Sequence, residues 1–258
     1  MPIQWLNPWR KTNPLSGVCS YVLYYGHPTE QVLEGLSAFD MAVIEPHSYS
    51  AGQIAQIKAG GTRTIGYISI MESPAWNVWR TPHLLDSDYL LHDGERHHFP
   101  LWDSYLMDLT SVNYRRVLLD EITGQIAAKG FDGVLLDTVG DIDDFVAGEA
   151  AKSAQLQAYS HLLAELERLF PDMLFVQNRG FAAAGQVSRH LDGFLWEDWD
   201  GSWRSNGWMI LRVKQARRWQ RRGIRIFTLS RSDHELHAAA ALKLGFVHHA
   251  RPQGYNAW

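Results

Sequence analysis

The sequence predicts a closed α/β fold, a (β/α)8 or TIM barrel, built as one domain with a long loop insertion after the third strand. Three observations lead there. Short runs rich in β-branched and aromatic residues alternate with longer segments of helical period, the pattern of parallel strands joined by crossover helices. The chain has 258 residues, 46% of them hydrophobic, close to the usual length of one such barrel and ample for its core. Two stretches also echo one another, "DGVLLD" at Asp132 to Asp137 and "DGFLWE" at Asp192 to Glu197. Each is an apolar run that ends on a carboxylate, as two strands of one barrel would.

The elements follow in order. Residues 1–20 form an N-terminal extension, and the barrel occupies 21–258. Its strands are expected at "YVLYYG" from Tyr21, "MAVIEP" from Met41, "TIGYISI" from Thr64, "GVLLDT" from Gly133, "LFVQN" from Leu174, "GFLWED" from Gly193, "RIFTLS" from Arg225 and "FVHHA" from Phe246. Helices are expected over Thr29–Leu36, Ala51–Ala59, Val112–Lys129, Ser153–Phe170, Ala182–His190, Trp208–Arg221 and His234–Leu244. Several of these end on a basic residue followed by Gly, as in "AAKGFD" and "QRRGIR", a common helix stop. The rival architecture, an open doubly wound sheet, would place a Gly-rich turn after its first strand. Here "YYGHPTE" supplies one glycine.

After the third strand the chain makes its longest excursion, residues 71–111. It carries Trp76, Trp79, Trp102, Tyr89 and Tyr105 among histidines and acids, too aromatic for a plain linker. Loops of this length in compact domains are often functional, so the excursion is expected to be a lid over the mouth of the barrel, the alternative being a surface insert packed on the helices. Trp5, Trp9 and Trp219 lie away from strand ends and are expected to pack.

Composition excludes several function classes. A net charge of −4 without a basic cluster offers no footprint for nucleic acid. Cys19 is the sole cysteine, so no internal disulfide can form and thiolate metal sites lack ligands. No run approaches the length of a membrane span, and the N-terminus has no signal-peptide core; a soluble chain with no membrane partner is expected, its compartment left open. A metal-dependent barrel would need clustered histidines. The first strand is followed by His27 alone, and adjacent histidines at His97 and at His248 would point to opposite sides, so no metal and no cofactor is expected. The turns "LSRSDHE" and "ARPQGY" lack a Gly-rich phosphate nest.

In a barrel, the C-terminal ends of the strands converge on one face, where the chemistry of this fold is done. Asp137 and Glu197 close the fourth and sixth strands with matched orientation, because side chains alternate along a strand. Their backbones stand about two strand spacings apart, on the order of 10 Å, and two acids leaning inward from there suit the cleavage of a glycosidic bond. Tyr24, Tyr25, Glu45, Tyr67, Glu72, Asp108, Asp141, Asn178, Trp196 and Trp199 are the expected substrate-binding residues around them. Indole rings, of which the chain has 11, offer the apolar faces of sugars a platform, and polar neighbours take the hydroxyls. A strand-terminal Asp or Asn is also a common helix cap, so the set carries more weight than any one member.

The blocks "GFDGVLLDTVGD" at Gly130 to Asp141, "GYISIME" at Gly66 to Glu72, "QNRG" at Gln177 to Gly180 and "FLWED" at Phe194 to Asp198 resemble those of glycoside hydrolase family 114, the endo-α-1,4-polygalactosaminidases. The similarity runs in one order from Leu23 to Leu229. It implies a (β/α)8 barrel without a metal that hydrolyses a galactosamine-containing polysaccharide, with Asp137 and Glu197 matching the family's carboxylates on strands four and six. The chain departs from the family where Gly140 delays Asp141 by one place, where Met71 replaces a glycine, and where Glu45 stands in place of Asp. The expected reaction is a retaining double displacement with Asp137 as nucleophile and Glu197 as acid and base, shielded from water by Trp196 and Trp199, the reverse assignment of the two carboxylates being the alternative. The alternatives are a barrel that binds a saccharide without cleaving it and a glycosidase of different specificity, because fold alone never fixes function.

Overall fold

The structure, a computed structural model, describes residues 13–232 and 234–258; Trp5 and Trp9 lie outside them. Eight parallel strands follow one another around a single sheet in sequence order: β1 (Tyr21–Tyr24), β2 (Met41–Ile44), β3 (Arg63–Ser69), β4 (Gly133–Asp137), β5 (Leu174–Asn178), β6 (Gly193–Trp196), β7 (Arg225–Ser230) and β8 (Val247–Ala250). The strands match the expected runs to within one or two residues at each end. Between and around them run α1 (Glu30–Leu36), α2 (Ala51–Lys58), α3 (Val112–Glu121), α4 (Asp141–Phe145), α5 (Glu149–Leu169), α6 (Phe181–Val187), α7 (Gly207–Arg221) and α8 (Glu235–Lys243). No described helix is long and apolar enough to cross a membrane.

The strands sort their side chains by parity. Leu23, Val43, Ile65, Leu135, Val176, Leu195, Leu229 and Val247 pack together inside the barrel. Their chain neighbours Val22, Ala42, Val134, Leu136 and Phe194 face the helices in a second, larger core. Each fully buried side chain of this size stabilises by roughly 1.5–3 kcal/mol, so a slip of one residue would turn both cores inside out.

The echoing "DG" pairs are explained at the bottom of the barrel. Asp132 accepts the Thr64 amide at 2.9 Å and is met by Lys58 at 3.0 Å, while Asp192 accepts the Phe175 amide at 3.0 Å. Each aspartate thus satisfies the amide of the second residue of a neighbouring strand. The glycine that follows Asp132 is a space requirement, since a Cβ on Gly133 would fall 2.5 Å from the Leu174 carbonyl. Below the strands, Leu15 and Val18 close the floor, and the Asn13 amide reaches the Asp192 and Gly223 carbonyls, each at 2.6 Å. The described part of the N-terminal extension is therefore part of the barrel.

The helix α4 has no counterpart among the expected elements, α5 begins four residues before its expected start, and two further elements differ from expectation. The helix expected over Val112–Lys129 is α3 followed by a π-turn at Ile122–Ile126 and a 3-10 turn, ending at left-handed Gly130. The extra residue of the π-turn seats Ile126 on Gly66, where a Cβ would lie 2.8 Å from its side chain. The excursion between β3 and α3 is no bare loop either. Glu72–Pro74, His98–Phe99 and Ser104–Leu106 form an antiparallel three-stranded sheet, and Leu91–His92 pairs with Glu95–Arg96.

Candidate active site

Strand parity decides which residues meet at the top of the barrel. Two residues beyond the interior residues named for β1 to β7 come Tyr25, Glu45, Tyr67, Asp137, Asn178, Glu197 and Arg231, and all seven line one cavity of about 560 Å³. The insert supplies Glu72, Trp76, Trp102 and Ser104 to the same cavity, and the start of α4 supplies Asp141.

At the centre, the Asn178 amide nitrogen donates to Asp137 Oδ1 at 2.7 Å and to Glu197 Oε2 at 2.9 Å. Those two oxygens are therefore no farther apart than the two bonds laid end to end. Tyr67 is hydrogen-bonded to Asp137 on one flank, and the Tyr255 hydroxyl donates to Glu197 Oε1 on the other. Burial and the neighbouring Glu197 raise the Asp137 carboxyl to about 6, against the opposing pull of Asn178 and Tyr67. A second acid pair lies beside the first. Asp141 is hydrogen-bonded to Glu72, and burial followed by the charge of Glu72 raises it to about 9; Glu72 in turn accepts from Ser104 Oγ. Among the described residues, Asn178 Oδ1 and Asp141 Oδ2 are buried without a protein partner, and both belong to residues that line the cavity.

Three strand ends share an unusual turn. Thr138, Arg179 and Asp198, each the residue after Asp137, Asn178 or Glu197, have φ of 61°, 50° and 57°, a region non-glycine residues seldom occupy and one often met at functional sites. Local bonds hold the first two turns. Thr138 Oγ1 accepts the amides of Ile70 at 3.1 Å and Met71 at 2.8 Å. Gln177 donates to the Arg179 and Gly180 carbonyls while receiving the Tyr159 hydroxyl. In the third, Arg231 donates to Asp198 at 3.0 Å.

The insert is pinned by a buried ion cluster. Arg80, 1% exposed, donates to Glu121 at 2.7 Å, to the Ser69 and Glu72 carbonyls at 3.1 and 2.8 Å, and to Tyr114. His47 and Asn77 complete the shell of Glu121 at 2.9 and 2.8 Å. Burial opposes the charge of Glu121, but Arg80, His47 and Asn77 outweigh it and bring the carboxyl down to about 2.

The model of glycoside hydrolase family GH114 matches residues 7–229. The chain belongs to glycoside hydrolase family 114. It is thus a glycosidase of the (β/α)8 class. Solved structures agree on the fold: the glycoside hydrolase domain of PelA from Pseudomonas aeruginosa has a TM-score of 0.75 at 21% identity, covering 91% of this chain and 94% of that one. Ega3 from Aspergillus fumigatus, in complex with galactosamine, has a TM-score of 0.70 at 16% identity, covering 97% and 98%. An α-galactosidase from Thermus thermophilus has a TM-score of 0.59 at 16% identity, covering 94% of this chain and 60% of that one. No protein with a curated description matches the sequence.

Within this GH114 barrel, four residues expected at the site lie elsewhere. Tyr24 and Trp196 have the wrong parity: Tyr24 faces outward with its hydroxyl on the His27 carbonyl, and Trp196 packs against Phe181 and Trp199 in the outer core. Trp199 bonds the His237 carbonyl at 2.9 Å and is 2% exposed. The shielding of Glu197 therefore does not come from either indole. Asp108 binds Thr110 and Gln155 at the insert's return to α3. Sequence reasoning in turn missed Tyr255 and the Arg80–Glu121 clamp, which nothing local marks; Arg231 is reached by continuing the β7 alternation.

Proposed function

We propose that the chain hydrolyses α-linked galactosamine-containing polysaccharide with retention of configuration, using Asp137 as nucleophile and Glu197 as acid and base. The observation that carries this reading is the single nitrogen of Asn178 bonded to both carboxylates. It keeps their facing oxygens below the roughly 6.5–9.5 Å that inversion needs to admit a water, the side of that range on which retaining pairs lie.

The reaction runs in two displacements. Asp137 attacks the anomeric carbon as the glycosidic C–O bond breaks, and Glu197 gives its proton to the departing oxygen. Glu197, now a carboxylate, takes a proton from water, whose oxygen attacks the same carbon and releases Asp137. The Asn178 and Tyr67 bonds suit a nucleophile held in one orientation. The longer arm of Glu197 suits the group that reaches the leaving oxygen from the side.

The acid pair of Glu72 and Asp141 supports an amino sugar as substrate. A neutral Asp141 beside Glu72 leaves one negative charge, which an ammonium group entering the cavity would meet together with the unpartnered Asp141 Oδ2. The insert, with Trp76 and Trp102 at the rim, is the side of the cavity along which a polymer would lie.

The test is reducing-end release from de-N-acetylated α-1,4-galactosaminogalactan by wild type and by Asp137→Asn and Glu197→Gln of verified fold. Wild-type release with a loss of at least about 1,000-fold in both variants is expected. Activity that survived either substitution would remove that residue from its role, and a wild type inactive on this polymer but active on another α-glycan would reassign the substrate.

A further inference from the structure

The sheet's two end strands, β1 and β8, share no ladder, and the C-terminal segment 251–258 lies across that seam. The match to the family model ends at residue 229, before this segment. It is anchored at several points. The Arg251 amide donates to the Ser230 carbonyl at 2.8 Å, and the Tyr25 amide donates to the Tyr255 carbonyl at 2.8 Å. Arg251 bonds the Ala257 carbonyl and lies over the Tyr24 ring, 5.9 Å from its centroid. Trp258 meets Tyr24 edge-on at 5.3 Å and fills the space over Gly35, where a Cβ would come within 2.0 Å of the indole.

This strap lines the cavity with Tyr255 and Asn256. Tyr255 packs on Tyr25 at 5.1 Å, and Tyr25 packs on Tyr67 at 4.7 Å. Three tyrosines thus form one wall, with the outer hydroxyls on the two central carboxylates, Tyr67 on Asp137 and Tyr255 on Glu197. Tyr255 donates to the oxygen of Glu197 that Asn178 does not hold. Both oxygens of Glu197 are therefore fixed, one from the barrel and one from the tail.

We propose that Tyr255 is a positioning residue for the glycosidic reaction, the C-terminal strap serving to hold Glu197 where it can protonate the leaving oxygen. This rests on the acid and base role given to Glu197 above. The consequence is a dependence on the leaving group. A sugar alkoxide needs the proton that Glu197 gives, whereas fluoride or a dinitrophenolate departs without it. Loss of the Tyr255 hydroxyl should therefore cost the first substrate and spare the second, which a general loss of structure would not do.

The experiment compares wild type, Tyr255→Phe and Trp258→Ala on the de-N-acetylated polymer and on α-galactosaminyl fluoride. Tyr255→Phe is expected to lower kcat on the polymer by at least about tenfold with KM within about twofold, and kcat/KM on the fluoride by less than about threefold. Trp258→Ala, which loosens the strap without touching Glu197, should show the same selectivity at smaller size. Equal losses on both substrates, or none on either, would overturn the role of Tyr255 while leaving the glycosidase reading intact. A wild type inactive on both would overturn the substrate and mechanism proposed above, and the positioning role with them.

Discussion

Asp137 is both the proposed nucleophile and a local cost to the fold. Its carboxyl is raised to about 6 by burial and by Glu197, against roughly 3.9 in an unfolded chain, so the folded state holds the proton more tightly. The stability this contributes is full below about pH 4 and is lost as pH rises toward 6. Asp137→Asn should therefore be more stable than wild type at pH 7.5 by on the order of 1–2 kcal/mol, with the gap closing by pH 4; melting curves at the two pH values measure it. The same proton governs the chemistry. An Asp137 that must be ionised to attack predicts wild-type kcat/KM falling about tenfold per pH unit well below 6, read from a pH profile. A variant that is inactive yet more stable is what a site assembled for charge, against the preference of its surroundings, should give.

Among the elements, the insert depends most on one interaction. Arg80 ties the carbonyls of Ser69 and Glu72 to Glu121 on α3, fixing the hinge from which Glu72 enters the cavity. Glu121 is held down to about 2, so its contribution to stability is present above the unfolded value near 4.3 and is lost as pH falls toward 2. Arg80→Leu leaves a buried carboxylate without its strongest partner and should cost about 3–5 kcal/mol at pH 7. The deficit should narrow at pH 3, where Glu121 of the variant takes up a proton, and urea unfolding at both pH values would show it. No sequence pattern announces this pair. Arg80 sits in an aromatic excursion and Glu121 near the end of a helix, each reading as a solvated charge until the fold brings them together.

For the whole molecule, the barrel end and the insert make one cavity with an aromatic rim. Trp76 and Trp102 are 55% and 57% exposed while lining it, an arrangement that would give platforms to sugars beyond the proposed cleavage point. Replacing both by Ala should raise KM for the polymer several-fold and leave KM for a short galactosamine oligomer within about twofold, measured by reducing-end assay on chains of graded length. Much of this was legible without coordinates. Alternation with period two orients Asp137, Asn178 and Glu197 inward once their strands are recognised, and eight strands at barrel spacing converge by topology. The same rule, followed one residue further, excludes Tyr24 and Trp196, whose chemistry suited a sugar but whose parity sends them to the helices. The sequence by itself determined the strands, the family and the central carboxylates, because these follow from local periodicity and short motifs. Only the tertiary structure decided that Asn178 bridges the pair, that Arg80 pins the insert and that Tyr255 reaches Glu197 from the far end of the chain. Those contacts join residues distant in sequence, and their strength comes from burial that no local pattern encodes.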